Sequence, residues 1–263
     1  MSHHISESWT LSTMKIVLVL GFYLIPQVTG SWKKSPPAPR PLCDGGRLPV
    51  DCQDICDLQG PPSGVYIIYP QGAQRPLPVY CDVTGDGLVW TVFQRRLDGS
   101  EEFGRPWQDY VRGFGRADGE YWLGLQNIYR LTVSGDYELR VELEDAEGTR
   151  VTAYLSHHAL NPDSDGYRLH LGAFSDGGAG DALSLHAGHT FSTYDHDQDG
   201  HAQNCAEYWG GGFWYHTGGC AEAGLNARYH MTDPLHPAFS WTTWVDYPLT
   251  LRGSQMKLRR VSA

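Results

Sequence analysis

Several spacings that announce enzyme chemistry are missing from this chain. Its 263 residues hold no Cys-x-x-Cys, no His-Glu-x-x-His and no Gly-x-Ser-x-Gly. That removes the zinc ribbon, the zinc-protease helix and the nucleophile elbow as readings. No Asn-x-Ser/Thr sequon occurs, since Asn161 precedes Pro162, so glycosylation at asparagine is not expected. There is no Arg-Gly-Asp; residues 116–119 read RADG. Basic charge is scarce, with 20 Lys and Arg against 30 Asp and Glu, a formal net charge of −10. Nucleic acid needs a basic face and is excluded as a partner, whereas metal ions and basic proteins are not. Apolar runs are short too. Residues 16–25 cannot comfortably span a bilayer, and no later run approaches a transmembrane length.

That apolar run has another reading. Lys15 precedes it and QVTG follows, ending at Gly30, which is the layout of an export signal. Residues 1–30 are expected to be a signal peptide. Met14 is a candidate for the true start, because the segment before it is long and barely charged. Residues 31–42, SWKKSPPAPRPL, form a Pro-rich exposed linker, and residues 43–263 form the domain. All six cysteines, Cys43, Cys52, Cys56, Cys81, Cys205 and Cys220, lie beyond the signal. An even count in an exported chain reads as disulfides.

GVYIIYP, PLPVYCDV and LVWTVFQRR are β-branched and aromatic runs bounded by Pro or Gly, and they read as strands. TGDG joins the last two as a hairpin turn. YELRVELEDAEGTRVTAYL alternates apolar and polar residues on both sides of Glu-Gly, as an antiparallel hairpin does, and YRLHLGAF repeats the alternation. PWQDYVRGFG and EYWLGLQNIYRLTV are the expected helices, the second with Leu123, Ile128 and Leu131 near helical spacing. Met256 and Leu258 alternate with Lys257 and Arg259, which predicts a closing edge strand whose basic residues face solvent. The 12 histidines read as scattered surface residues, with His157 and His158 on opposite faces of a strand. Beyond Gly172 periodicity fades into Gly, Asp, His and aromatics, a composition that needs a disulfide or a metal as a staple.

Within that part, YDHDQDGHAQNC places Asp195, Asp197 and Asp199 at alternate positions. Alternate side chains converge and like charges repel, so the pattern asks for a hard cation between the carboxylates. D-x-D-x-D-G matches the first half of an EF-hand loop. The closing glutamate, however, falls at Ala206, Cys205 interrupts, and no flanking helices are evident. The EF-hand is rejected; carboxylates converging on calcium remain.

GFGRADGEYWLGLQNI, DGGAGDALSLHAGHTFSTYDHDQD, NCAE, GFWY and the tail QMKLRR follow one another across residues 52–260. In that order they resemble the fibrinogen C-terminal-like domain family. The resemblance implies an α+β fold with a central antiparallel sheet, short helices and an irregular calcium-binding C-terminal part. It implies Ca2+ held by the carboxylates of Asp197 and Asp199 and the backbone carbonyls of His201 and Gln203. Asp195 would contribute indirectly, and DGGAGD would support the region structurally. The disulfides it implies are Cys52–Cys81 and Cys205–Cys220. Cys43 and Cys56 are left to pair with each other or to link chains into a homo-oligomer.

The family's lectins hold an acetyl group in a pocket beside the second disulfide. By position that pocket is walled here by Trp209, Trp214 and Tyr215, with Ala221 where the family places a histidine. Leu235, next to His236, stands where another aromatic is expected. Two functions follow. The first is a secreted extracellular matrix protein that binds elastic-fibre or collagen components (elastin precursor, fibrillin, collagen), to which an acidic chain is suited. The second is a soluble innate-immune lectin for acetylated glycans. Losing the histidine donor at Ala221 weakens carbonyl recognition and favours the matrix. Neither reading is enzymatic.

Overall fold

Three of the apolar runs form an antiparallel meander, β1 (Gly64–Ile68), β2 (Leu77–Val83) and β3 (Val89–Arg96). Gly87, at φ +82°, supplies the positive φ of the β2–β3 turn, which closes with the Thr84 N–H on the Leu88 carbonyl (3.0 Å). The computed structural model in which these elements are seen describes residues 48–55, 62–71, 75–230, 238–245 and 250–261. The expected signal peptide and linker, together with Cys43, Cys56, Leu235 and His236, lie outside the described residues.

After β3 come α1 (Trp107–Arg112), β4 (Phe114–Gly115), β5 (Tyr121–Trp122) and α2 (Leu125–Thr132). Both expected helices are present, though Tyr121 and Trp122 pair with β3 as a strand instead of opening the second helix. Leu125, Ile128 and Leu131 of α2 are buried. The two helices meet backbone to backbone. A Cβ on Gly113 would lie 2.6 Å from the Leu123 carbonyl, and one on Gly124 would lie 2.7 Å from the Arg112 carbonyl carbon.

The alternating segment becomes the hairpin β6 (Tyr137–Glu144) and β7 (Arg150–Leu155). Tyr137, Leu139, Val141 and Leu143 enter the core while the charged residues between them do not. The chain continues through β8 (His158–Leu160), β9 (Leu169–Leu171), β10 (Phe174–Gly177) and the short helix α3 (Cys205–Trp209), and ends in β11 (Gly253–Arg260). The main sheet runs β1-β2-β3-β11-β6-β7-β10, with every pairing antiparallel, and β8 and β9 form a separate pair. Among the described residues no helix is long and apolar enough to cross a membrane.

The tail corrects an expectation. β11 is central, lying between β3 and β6, and is not a closing edge. Lys257 pairs in unbroken register with Arg140 of β6, on the face opposite Met256 and Leu258, yet it is fully buried. Its ammonium lies 2.5 Å from Asp82 and 2.6 Å from Glu142, so the charge is paired and not solvated. The histidine expectation fails for three residues in the same way. His158 and His186 are fully buried, and His216 is buried as well. The alternation of the sequence marks one face as polar but cannot show that neighbouring side chains cover it.

Two disulfides staple the fold. Cys52–Cys81 ties the first turn of the domain to β2, and Cys205–Cys220 closes a 15-residue separation in the irregular part. Asp176 and Asp181 each cap a turn, accepting the N–H groups of Gly178 and Gly180 and of Leu183 and Ser184.

Candidate functional site

The aspartate segment is a loop fastened at three points. Gln198 donates from Nε2 to the Phe191 carbonyl (2.9 Å), receives the Thr190 hydroxyl on its own carbonyl (2.9 Å), and gives its N–H to Ser192 Oγ (2.8 Å). Asn204 caps α3 by accepting the Glu207 N–H (2.9 Å) and donates to the Tyr194 carbonyl (3.0 Å). Asp195 accepts the Thr193 hydroxyl (2.7 Å) and the N–H of Trp107 (2.8 Å), the first residue of α1. The carboxylate of Asp195 therefore docks the loop on α1, with the rings of Trp107 and His196 4.3 Å apart above it.

Asp199 is only 3% exposed. Its Oδ1 accepts the His201 N–H (2.7 Å) and its Oδ2 accepts the Cys205 N–H (3.0 Å). Burial pushes its carboxyl above the usual carboxylate range. The two N–H donors pull it back, and Asp197 pushes it further up. Among the described residues no Lys or Arg comes within ion-pair distance of Asp197 or Asp199. His201 Nδ1 lies 3.1 Å from the Gln203 N–H and 3.2 Å from the Gln203 carbonyl; the tautomer in which Nδ1 accepts that N–H leaves the carbonyl free for a cation. Neither the His201 nor the Gln203 carbonyl accepts a backbone N–H among the described residues. Two neighbouring carboxylates and two free carbonyls form an all-oxygen donor set, which suits Ca2+. A softer alternative is closed: His201 lies with Cys205 and Cys220 within 4.8 Å, but both sulfurs are in the disulfide.

Behind the disulfide, His186 braces the next segment. Its Nδ1–H donates to the Trp214 carbonyl (2.7 Å), and Nε2 accepts the N–H groups of Glu222 (3.3 Å) and Ala223 (3.2 Å). Only the neutral Nδ1–H ring fits these partners, and burial lowers its pKa to about 3. Cys220 holds φ +70°, unusual for a residue with a side chain, between paired backbone bonds to His216 (2.8 and 3.2 Å).

The aromatics expected to wall a ligand pocket divide. Trp214 is fully buried with Nε1 on the Tyr167 carbonyl (2.8 Å), and Tyr215 is buried with its hydroxyl on the Gly211 carbonyl (2.5 Å). These two are core. Trp209 packs where a Cβ on Gly224 would come within 2.4 Å of its ring, and its Nε1 is buried without an acceptor. His216 accepts the Gly218 N–H on Nδ1 (3.1 Å), so its proton is on Nε2, which is also buried without an acceptor. Ala221 is buried beside them in sequence. Sequence reasoning missed Gln198, His186 and His216, because hydrogen-bonding roles at these positions carry no spacing signature.

Nine-stranded antiparallel sheet, irregular disulfide-closed C-terminal part and oxygen-rich loop define one class of domain. Residues 48–261 match the fibrinogen beta and gamma chains, C-terminal globular domain, and the chain belongs to that family. It is 48% identical over 221 residues to microfibril-associated glycoprotein 4 from Homo sapiens, covering 81% of this chain and 85% of that protein. It is 45% identical over 186 residues to ficolin-3 from Homo sapiens, covering 70% of this chain and 61% of that one. The solved fibrinogen-like globe domain of human ANGPTL2 aligns with a TM-score of 0.74 at 39% identity, over 81% of this chain and 99% of that domain.

Proposed function

We propose that the protein is a secreted, calcium-binding, non-catalytic component of the extracellular matrix that binds elastic-fibre or collagen components through this domain. The observation that carries the calcium reading is Asp199: a buried carboxylate next to another, with no Lys or Arg within ion-pair distance of either among the described residues. An anion so placed is costly unless a cation joins it. Asp197, Asp199 and the carbonyls of His201 and Gln203 are the residues that would hold the ion. Bound there, calcium supplies charge neutralisation that fixes the loop against the disulfide. Kinship with proteins named for their association with microfibrils supports the matrix reading. The export-type segment at residues 1–30 and the disulfides support secretion.

A specific observation favours a second reading, a lectin for acetylated glycans. Trp209 Nε1 and His216 Nε2, both within the loop closed by Cys205–Cys220, are buried donors without acceptors among the described residues. A carbonyl oxygen entering there would satisfy one of them despite Ala221. The test passes the mature protein over immobilised elastin precursor, fibrillin and collagen, and over an N-acetylated sugar resin, in calcium and in chelator. Calcium-dependent retention on a matrix protein alone supports the first reading. Retention on the sugar resin, released by free acetate, replaces it with the second.

A further inference from the structure

A cleft of about 550 Å³ opens between the loop after β3, the first turns of α3 and residues 228–230. Arg96, Glu102, Tyr194, Glu207, Arg228 and Tyr229 are among the residues that line it. The cations of the cleft are already committed to the protein itself. Arg228 donates to the Tyr208 carbonyl (2.7 Å) and the Glu207 carbonyl (3.0 Å) of α3. Arg96 is 1% exposed; its Nη1 donates to the carbonyls of Leu225 (3.2 Å) and Ala227 (3.0 Å). Its guanidinium lies 4.0 Å over the Phe103 ring and 3.9 Å from Glu120.

The carboxylates are not committed in this way. Glu101 is paired with Arg105 at 2.6 Å. Glu102 accepts only the Gly104 N–H (2.8 Å), and neither it nor Glu207 has a Lys or Arg within ion-pair distance among the described residues. Tyr194, 49% exposed, adds an open aromatic ring beside them. Arg96 is closed off from a ligand, its Nε 3.9 Å from Glu120 and its guanidinium over the Phe103 and Phe239 rings. The cleft thus offers negative charge and an aromatic face at its walls.

We propose that this cleft binds a peptide segment through a lysine side chain. The ammonium sits between Glu102 and Glu207, and the methylene stem lies along Tyr194. Lysine suits two separate carboxylates because its three donors diverge, whereas the planar fork of arginine matches one carboxylate side-on. The Tyr194 ring adds cation–π attraction. The site uses none of the oxygens assigned to calcium, so its failure and the failure of the calcium reading are distinguishable.

The test is fluorescence polarisation of the full mature chain with a labelled Gly-Gly-Lys-Gly-Gly amide and with its Nε-acetylated counterpart, compared with the variants Glu102→Gln and Glu207→Gln. Glutamine at 102 keeps the oxygen that accepts the Gly104 N–H, so the fold is retained, and unchanged melting temperatures check this. The lysine peptide is expected to bind, to weaken with salt, and to lose about tenfold in affinity for each carboxylate removed. Acetylation is expected to abolish binding. Equal binding by the acetylated peptide, equal binding by the double variant, or no binding of the lysine peptide to the folded wild type at about 1 mM each overturns the proposal.

Discussion

Oδ2 of Asp199 accepts the backbone N–H of Cys205 at 3.0 Å, and Cys205 is bonded to Cys220. The acidic loop and the disulfide are therefore one mechanical unit. Whatever fixes Asp199 also fixes the start of α3 and, through Cys220, the turn that holds His216 and Ala221.

Asp199→Asn removes the charge but keeps only one acceptor oxygen, so the His201 or the Cys205 N–H loses its partner and the variant is expected to be about 1–3 kcal/mol less stable in chelator. The calcium reading is in the shift: the folded variant is expected to show no upward shift on adding calcium. Wild type is expected to gain roughly 2.7 kcal/mol at a hundredfold excess of calcium over its Kd. Differential scanning calorimetry with and without calcium reads both. An equal calcium shift in the variant places the ion elsewhere.

The coupling to the disulfide gives a second expectation. Replacing Cys205 and Cys220 by serine opens a loop with a 15-residue separation. The expected loss is about 3 kcal/mol of stability by loop entropy. Calcium affinity should fall with it, since the N–H that orients Asp199 is no longer held. Urea melts and calcium titration of the double variant measure the two effects separately. Unchanged calcium affinity contradicts the coupling.

Two buried histidines set an acid limit. His158 and His186 have their pKa lowered to about 3 from 6.5, by burial above all. Below pH 6.5 the unfolded chain takes up protons that the native rings refuse. Stability is thus fully present above that pH and falls as pH drops toward 3, by about 1.4 kcal/mol per unit for each ring. The two should respond differently to replacement. His186→Phe removes three hydrogen bonds and is expected to cost about 2–4 kcal/mol. Neither ring nitrogen of His158 has a partner, so His158→Leu should be neutral or stabilising by about 1 kcal/mol and flatten the acid limb. Denaturant melts between pH 4 and 8 give the comparison; a large loss in His158→Leu contradicts it.

The buried ammonium of Lys257 supports the centre of the sheet. Lys257→Met removes the ammonium that joins Asp82 to Glu142, leaving Arg140, 2.7 Å from Glu142, as the cation beside the pair, and is expected to cost about 3 kcal/mol. Arg116→Ala, which breaks a pair between side chains 75% and 57% exposed, should cost far less, because solvent screens that pair. Urea unfolding of both variants checks the ranking, and equal costs refute it.

β1, β2, β6 and β7 were legible because each is a run of alternating or β-branched residues whose burial largely follows the side-chain period of two. β3 was legible from its β-branched and aromatic run, although it is buried almost throughout. The two-residue strands β4 and β5 were not, since they lie inside segments that read as helices. The place of β11 was not, since a strand's own residues do not say which strands flank it. That is why Lys257 read as solvated. The loop of Asp197 and Asp199 was visible because converging like charges are a local pattern. The cleft at Glu102, Glu207 and Tyr229 was not, because it joins Glu102 to residues more than 100 positions further along the chain whose individual types are ordinary surface choices. Burial hid the histidines for the same reason: His186 meets Trp214 and Ala223 only after the irregular part has folded.

The measurement that tests the account most directly is isothermal titration of calcium into the chelator-stripped, disulfide-intact chain and into Asp199→Asn. The account predicts a saturable isotherm for wild type and none for the folded variant. Matching isotherms, or no binding by wild type, contradict it.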